Sequence, residues 1–121
     1  MRVLIIDDED DIRAIASLSL TSLGGLKVFV AESGTVGLRI AAAEVPDVIL
    51  LDYRMPDMDG LETFEALRQN PVTANIPVIF LTASVSPSEL DHLKKVGARG
   101  VVAKPFDPMT LPDRLNELMN L

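Results

Sequence analysis

The sequence predicts an α/β protein, a three-layer sandwich in which a five-stranded parallel sheet lies between two layers of helices. Two observations support this prediction. Five short apolar runs recur along the chain, and they are uninterrupted rather than alternating, as is typical of strands covered on both faces. The segments between these runs carry apolar residues at helical spacing. Strands and helices that alternate in this way are joined by right-handed crossovers.

The predicted strands are the apolar runs at residues 3–6, 28–30, 48–51, 78–81 and 101–103. The first helix is predicted from an apolar stripe that ends at the two glycines 24 and 25, a common stop signal. The members of this stripe are Ile12, Ile15, Ala16, Leu20 and Leu23. Asp10 and Asp11 are expected to cap this helix and to interact favourably with its dipole.

The remaining helices are bounded by proline, asparagine and glycine signals. The second carries apolar residues at 36, 38 and 40–43 and stops before Pro46, and the third covers residues 61–67 and ends near 70–71. The fourth begins at Pro87, a favourable first helical position after Ser86, and closes at Gly97. The fifth carries leucines at 111, 115 and 118. We therefore expect one domain over residues 1–121, with no repeat, no linker and no effector domain in this sequence, and the domain could equally stand alone or belong to a longer chain.

Composition excludes several classes of function. The absence of cysteine excludes disulfides, thiolate metal sites and cysteine nucleophiles, and the single histidine, His92, cannot form a histidine metal cage by itself. A net charge of −7 argues against a nucleic-acid-binding surface, because phosphate neutralisation needs clustered Lys and Arg. No apolar run approaches the ~20 residues of a membrane span, and no signal peptide is present. We expect a cytoplasmic protein that contacts neither nucleic acid nor membrane directly.

Polar residues follow four of the predicted strands at their carboxyl ends. Asp7 and Asp8 follow the first strand, Asp52 the third, Thr82 ends the fourth, and Lys104 follows the fifth. In a parallel sheet these ends lie on one edge, where open α/β sheets place their ligand sites. The order of the strands cannot be read from these patterns, but the carboxylates converge if the first and third strands are neighbours.

Carboxylates that share one crevice repel each other, and their pKa values rise unless a cation is present. A hard divalent ion such as Mg²⁺ fits such a site. Lys104 and Thr82 could then hold the oxygens of an anion beside it. Together these groups form a set suited to phosphoryl transfer, with Asp52 as nucleophile.

Four segments resemble the receiver domain of two-component response regulators. They are residues 3–9 (VLIIDDE), 52–60 (DYRMPDMDG), 81–83 (LTA) and 104–106 (KPF), and they occur in the order in which the family has them. The resemblance covers essentially the whole chain. It implies a flavodoxin-like sheet with strand order 2-1-3-4-5. It also implies phosphorylation by a sensor histidine kinase, a phosphotransfer protein or a small phosphodonor.

The resemblance assigns roles to individual residues. Asp52 is implied to be the phosphoacceptor, and Mg²⁺ (or Mn²⁺) to be held by Asp8, Asp52 and the backbone carbonyl of Arg54, with Asp7 acting through water. Lys104 would pair with the phosphoryl group, and its peptide bond to Pro105 would be cis. Thr82 would move to hydrogen-bond a phosphoryl oxygen.

Other implied features concern signalling. The fourth helix, fifth strand and fifth helix would present the altered surface to an unknown partner protein, and phosphorylation could also drive dimerisation. Many receivers carry Tyr or Phe where this chain has Val101, which leaves the route of the signal open. Arg54 and Ser84 are the candidates for tuning the phosphoryl lifetime. The first helix, with Arg13 and Ser17 on its exposed face, is a candidate kinase-docking surface.

Three other functions are compatible with an α/β sheet that carries an aspartate at a strand end. A phosphatase of the haloacid dehalogenase type needs an aspartate two residues after its nucleophile, where this chain has Arg54. A nucleotide-binding Rossmann domain needs a glycine-rich phosphate loop, which residues 24 and 25 do not supply. A receiver-fold interaction scaffold that is never phosphorylated stays open. The switch is expected to catalyse only its own phosphorylation and slow dephosphorylation, so it is not an enzyme in the ordinary sense.

Overall fold

The computed structural model describes residues 1–83 and 86–120, and in this part of the chain five parallel strands form one sheet in the order β2-β1-β3-β4-β5. The strands are β1 (Arg2–Ile6), β2 (Lys27–Ala31), β3 (Val48–Asp52), β4 (Val78–Thr82) and β5 (Gly100–Ala103). The helices are α1 (Asp10–Leu18), α2 (Gly34–Glu44), α3 (Gly60–Gln69), α4 (Pro87–Lys95) and α5 (Leu111–Met119). The predicted fold class and strand order are confirmed.

The two faces of the sheet explain why its strands are apolar without interruption. Leu4 and Ile6 of β1 pack in one cluster with the aromatic rings of Phe64 and Phe80, whereas Ile5 packs in a cluster on the opposite face. Successive side chains of a strand point to opposite faces, so a sheet covered on both sides needs apolar residues at every position. The first cluster includes residues of α2, α3 and α4, and the second includes residues of α1 and α5.

Side-chain caps begin three of the helices. The Asp59 side chain accepts from the backbone N–H of Glu62, and Glu62 accepts in return from the N–H of Asp59, which makes a capping box for α3. Ser33 and Ser86 cap α2 and α4 by accepting backbone N–H groups three residues later. These caps place the helix starts directly after the loops that follow β2, β3 and β4.

The first helix differs from its prediction. It is α-helical to Leu18 and continues as a π-helical turn over Ser19–Leu23. Ile15 and Leu23 are about half exposed, so the buried stripe narrows to Ala16 and Leu20. Adjacent residues of a helix point about 100° apart, and therefore Ile15 turns away from the sheet when Ala16 faces it. Leu23 leaves the stripe because a π-helical turn carries more residues per turn than an α-helix.

The expected capping by Asp10 and Asp11 is also wrong. Both aspartates lie inside the first turn of α1, where they favour the helix dipole, while Glu9 occupies the cap position. Helical backbone at residues 10 and 11 leaves neither aspartate in the extended conformation that a capping residue needs.

Within residues 1–83 and 86–120, every helix falls short of the length and apolar character that a membrane crossing requires.

Candidate functional site

The strand order brings the predicted polar residues to one edge of the sheet. β1 and β3 are paired neighbours with Ile6 opposite Leu51, so the next residues along, Asp7 and Asp52, leave the two strands side by side. Backbone hydrogen bonds continue past the strand ends. The N–H of Asp7 donates to the carbonyl of Ala31, and the N–H of Lys104 donates to the carbonyl of Thr82. The aspartates, Thr82 and Lys104 therefore meet at the carboxyl edge.

The ammonium group of Lys104 is surrounded by carboxylates. Its Nζ atom lies 2.7 Å from Asp7 Oδ2, 3.2 Å from Asp52 Oδ1 and 3.5 Å from Glu9 Oε1. Burial by itself would lower the pKa of Lys104, but its close contact with the Asp7 carboxylate and the negative charges of Asp52 and Asp7 raise it above its ordinary value. Lys104 therefore remains a cation at the site. The peptide bond that joins it to Pro105 is cis.

Asp52 lies at the end of β3 with only 4% of its surface exposed. Burial and the negative charge of Asp7 together raise the pKa of its carboxyl group to about 7, although Lys104 opposes both effects. A carboxyl group with this pKa exchanges its proton near neutrality. Any added positive charge near Asp52 would favour the ionised form, which is the nucleophilic one.

The acidic cluster fits a hard divalent cation. Carboxylate oxygens of Asp7, Asp8, Glu9 and Asp52 lie within 4.8 Å of one another. Asp7 is fully buried, and its Oδ2 accepts no well-directed hydrogen bond from the described residues although the Lys104 ammonium is 2.7 Å away. An all-oxygen donor set with an unmet buried acceptor has the chemistry that Mg²⁺ or Mn²⁺ requires.

The loop between β3 and α3 is packed tightly beneath Asp52. A Cβ atom added to Gly60 would lie 2.4 Å from the backbone oxygen of Asp52 and 2.8 Å from Cα of Tyr53. The N–H of Gly60 also donates to the carbonyl of Tyr53 at 3.0 Å. Glycine at this position therefore allows α3 to start directly against the strand end that carries the acceptor.

A cavity of about 220 Å³ opens onto Asp52. Its lining residues are Glu9, Asp52, Arg54, Thr82, Ala83 and Lys104. Thr82 is buried at the end of β4, and the backbone N–H of Arg54 lies 3.4 Å from Asp52 Oδ1. The cavity gives a small anion access to the carboxylate, the ammonium and the threonine. Ser84 lies outside the described residues.

The structure adds two residues to the predicted members of this site. Glu9 contacts Lys104, and the only signal for it was a third acid after the pair Asp7 and Asp8. Arg13 donates from Nη1 to the backbone carbonyl of Asp7 at 2.7 Å and pairs with the carboxylate of Asp10. The Arg13 side chain is only 16% exposed, so its expected place on the exposed face of α1 is wrong.

Ser17 is also half-buried, which corrects its expected exposure in the same way. Helix α1 presents Ile15 and Leu18 outward instead, since Ala16 holds the buried face.

Val101 lies on β5 in register with Phe80 of β4. Its side chain is half-buried and packs against the apolar cluster that contains Phe80 and Tyr53. Tyr53 in turn packs edge-on against Phe80, with ring centroids 6.0 Å apart. Val101, which stands where many receivers carry an aromatic ring, therefore packs against the same apolar cluster as Tyr53, the residue after Asp52.

The sequence profile of the response regulator receiver domain matches residues 3–116. The chain belongs to this family. It is 35% identical over 106 residues to a probable chemotaxis protein CheY of Rhizobium etli, covering 88% of this chain and 82% of that protein. The resemblance described from the four motifs is confirmed.

Longer proteins match over part of their length. The chain is 37% identical over 106 residues to the regulatory protein AtoC of Escherichia coli, covering 88% of this chain and 22% of AtoC. It is 38% identical over 114 residues to a probable cyclic di-GMP phosphodiesterase of Vibrio cholerae, covering 94% of this chain and 25% of that protein. The chain therefore spans about a quarter or less of these two relatives.

Solved receiver structures superpose closely. The chemotaxis response regulator CheY4 of Vibrio cholerae matches with a TM-score of 0.89 and 36% identity, covering 97% of each chain. A putative response regulator from Chloroflexus aurantiacus matches with a TM-score of 0.87 and 31% identity, covering 99% of this chain and 98% of that one.

Proposed function

We propose that this receiver domain is a phosphorylation-dependent signalling switch and that Asp52 accepts the phosphoryl group. The observation that carries this proposal is the arrangement around Asp52 Oδ1, which lies 3.2 Å from the Lys104 ammonium at a cavity also lined by Thr82. A carboxylate, an ammonium and a hydroxyl in one small cavity can receive a phosphoryl group and hold its oxygens.

In the proposed step, a carboxylate oxygen of Asp52 attacks the phosphorus atom of the donor. An O–P bond forms, and the N–P bond of a phosphohistidine or the O–P bond of an acyl phosphate breaks. The leaving group departs with the electron pair of that bond. Lys104 neutralises negative charge on the transferred oxygens, and Thr82 donates a hydroxyl hydrogen to one of them. A sensor histidine kinase or a phosphotransfer protein would supply the phosphohistidine.

Asp8, Asp52 and the backbone carbonyl of Arg54 would hold Mg²⁺ or Mn²⁺, with Asp7 acting through water. When bound, the cation supplies positive charge that offsets the carboxylates and the incoming phosphoryl oxygens. The raised pKa of Asp52 is consistent with this assignment, because the site as built carries more negative charge than Lys104 alone can balance.

The phosphorylated domain would signal to a partner protein through the surface formed by α4, β5 and α5. Such a switch changes the populations of two states rather than turning over a substrate. Val101 would take part by repacking against Phe80 and Tyr53, without the large rotation of an aromatic ring. Arg54 lines the cavity mouth and Ser84 lies close in sequence to Thr82, and both are proposed to set the phosphoryl lifetime.

The test is the intact mass of the protein after incubation with acetyl phosphate or phosphoramidate, with and without Mg²⁺. Wild type should gain one phosphoryl group when Mg²⁺ is present, Asp52→Asn should gain none, and the surface variant Asp113→Asn should behave like wild type. If wild type gains no phosphoryl group under any condition, the proposal is wrong and a scaffold that is never phosphorylated is the better account.

A further inference from the structure

Glu9 occupies the cap position of α1 but does not use its side chain as a cap. No capping hydrogen bond is made by its carboxylate within the described part of the chain. The carboxylate turns toward the site instead, where Oε1 lies 3.5 Å from the Lys104 ammonium, and the residue lines the cavity over Asp52. Glutamate is not among the residues that favour the cap position, so capping does not explain why this side chain lies at the site.

The carboxylates around Lys104 are not equivalent. Asp7 and Asp52 are buried and lie 2.7 and 3.2 Å from the ammonium, whereas the Glu9 side chain is 60% exposed and lies 3.5 Å away. The backbone of Glu9 is anchored, since its N–H donates to Asp7 Oδ1 at 2.8 Å. Glu9 therefore holds a fixed position in the loop with a side chain that can swing into solvent.

A phosphoryl group on Asp52 would compete with Glu9 for Lys104. The ammonium has three hydrogen-bond donors, and the described residues already place the carboxylates of Asp7, Glu9 and Asp52 around it. Among these partners Glu9 has the longest contact and the greatest exposure. The oxygens of an incoming phosphoryl group can therefore displace Glu9 from Lys104 with a smaller loss of free energy than they could displace Asp7 or Asp52.

We propose that Glu9 is a positioning and donor-selecting residue. It holds the ammonium of Lys104 from the solvent side before phosphorylation, and its negative charge at the cavity mouth disfavours donors that carry more negative charge. This inference rests on the proposed phosphorylation of Asp52. Arg54 lines the same cavity with the opposite charge, so the two residues together set the electrostatic potential that a donor meets.

The test compares two small donors on wild type and Glu9→Gln. Acetyl phosphate is a dianion near neutral pH, whereas phosphoramidate carries about one net negative charge. With Mg²⁺ saturating for each variant, Glu9→Gln should react about three- to fourfold faster with acetyl phosphate and less than about twofold faster with phosphoramidate, because the Coulomb energy scales with the charge of the donor. The difference should shrink as ionic strength rises, because the Glu9 side chain is exposed to screening.

Two further variants separate charge from structure. Asp11→Asn removes an exposed acid from the first turn of the same helix and should leave both rates unchanged. Glu9→Asp keeps the charge at the mouth and should keep the ratio of the two rates near that of wild type. A Glu9→Gln variant that speeds both donors equally, or an Asp11→Asn variant with the same effect, would overturn the inference. If wild type accepts phosphate from neither donor, the proposed function fails as well.

Discussion

The Lys104 ammonium lies 2.7 Å from Oδ2 of the fully buried Asp7. This contact joins the first strand to the last across the carboxyl edge of the sheet. Removing one partner of a buried ion pair leaves the other charge without compensation, which is more costly than losing an exposed pair. The stability of this domain therefore depends on the same groups that are proposed to do its chemistry.

Lys104→Met tests this dependence. Without divalent cations near pH 8, the variant should lose about 3 kcal/mol of unfolding free energy, because Asp7 and Asp52 then lie close together with no cation between them. Saturating Mg²⁺ should restore part of the loss. Urea unfolding with and without Mg²⁺ measures both quantities.

The control for this variant is Lys95→Met. Lys95 pairs with Asp91 at 3.0 Å, and both side chains are mostly exposed, so we expect a loss below about 0.5 kcal/mol. Equal losses for the two lysine variants would contradict the role given to Lys104.

The pH dependence of stability should report on Asp52. Its pKa is about 7 in the folded chain and near 3.8 in a fully solvated chain, so between these values the folded state binds more protons than the unfolded state. The contribution of Asp52 to the unfolding free energy therefore falls as pH rises from about 4 to about 7. Asp52→Asn removes this contribution because the amide does not ionise.

Asp52→Asn should therefore be close to wild type in stability near pH 4 and more stable by about 2 kcal/mol near pH 8, when divalent cations are absent. Urea unfolding across this range is the measurement, with Asp113→Asn as the control that should follow the wild-type curve. A gain that does not grow with pH would refute a buried, raised-pKa carboxyl group at position 52.

Gly60→Ala should distort the site. The added methyl group would meet backbone atoms of Asp52 and Tyr53, which cannot rotate away as a flexible side chain could. We expect a loss of about 2–3 kcal/mol of unfolding free energy and slower phosphorylation by acetyl phosphate.

Gly25→Ala is the matched control for this variant. Gly25 has φ +66°, and among the described residues no atom lies within 4 Å of a Cβ added there. It should lose only about 1 kcal/mol, from backbone strain, and should be phosphorylated at the wild-type rate. A Gly60→Ala variant as active as Gly25→Ala would argue against close packing under Asp52.

Arg13→Met should weaken cation binding without abolishing the fold. Arg13 holds the carbonyl of Asp7 and pairs with Asp10, so it orders the loop that carries the acidic cluster. Loss of its hydrogen bonds should cost about 1–2 kcal/mol of stability and lower the Mg²⁺ affinity several-fold, measured by calorimetric titration. Arg114→Met, which removes an exposed pair with Glu117, should change neither quantity. An unchanged Mg²⁺ affinity in Arg13→Met would count against the ordering role.

Local sequence patterns were sufficient to predict most of the strands and helices. The five predicted strands differ from those observed by one residue at most at each end, because a strand buried on both faces is apolar throughout and is flanked by polar residues. The start of α4 at Pro87 was predicted for the same kind of reason, since a capping serine and a first-turn proline act within one turn. The first helix was less predictable, because its π-helical turn carries no local signal and contacts α5, which lies far away in the sequence.

Most members of the candidate site were predictable from the sequence, whereas Glu9, Arg13 and the geometry of the site were not. Asp7, Asp52, Thr82 and Lys104 could be named because each polar residue closes or follows an apolar strand. Glu9 could not be distinguished from Asp10 in this way, since both belong to one acidic run. The roles of Glu9 and Arg13 follow from the direction in which their side chains turn.

The sequence by itself determined the alternation of strands and helices, the residues at the strand ends and, through four motifs, the family. Those features depend on local periodicity and residue type. Only the tertiary structure decided that Lys104 is shared among Asp7, Asp52 and Glu9, and that the pKa of Asp52 is raised to about 7. These features depend on distances between residues far apart in the chain and on burial, both of which arise only when the sheet is assembled.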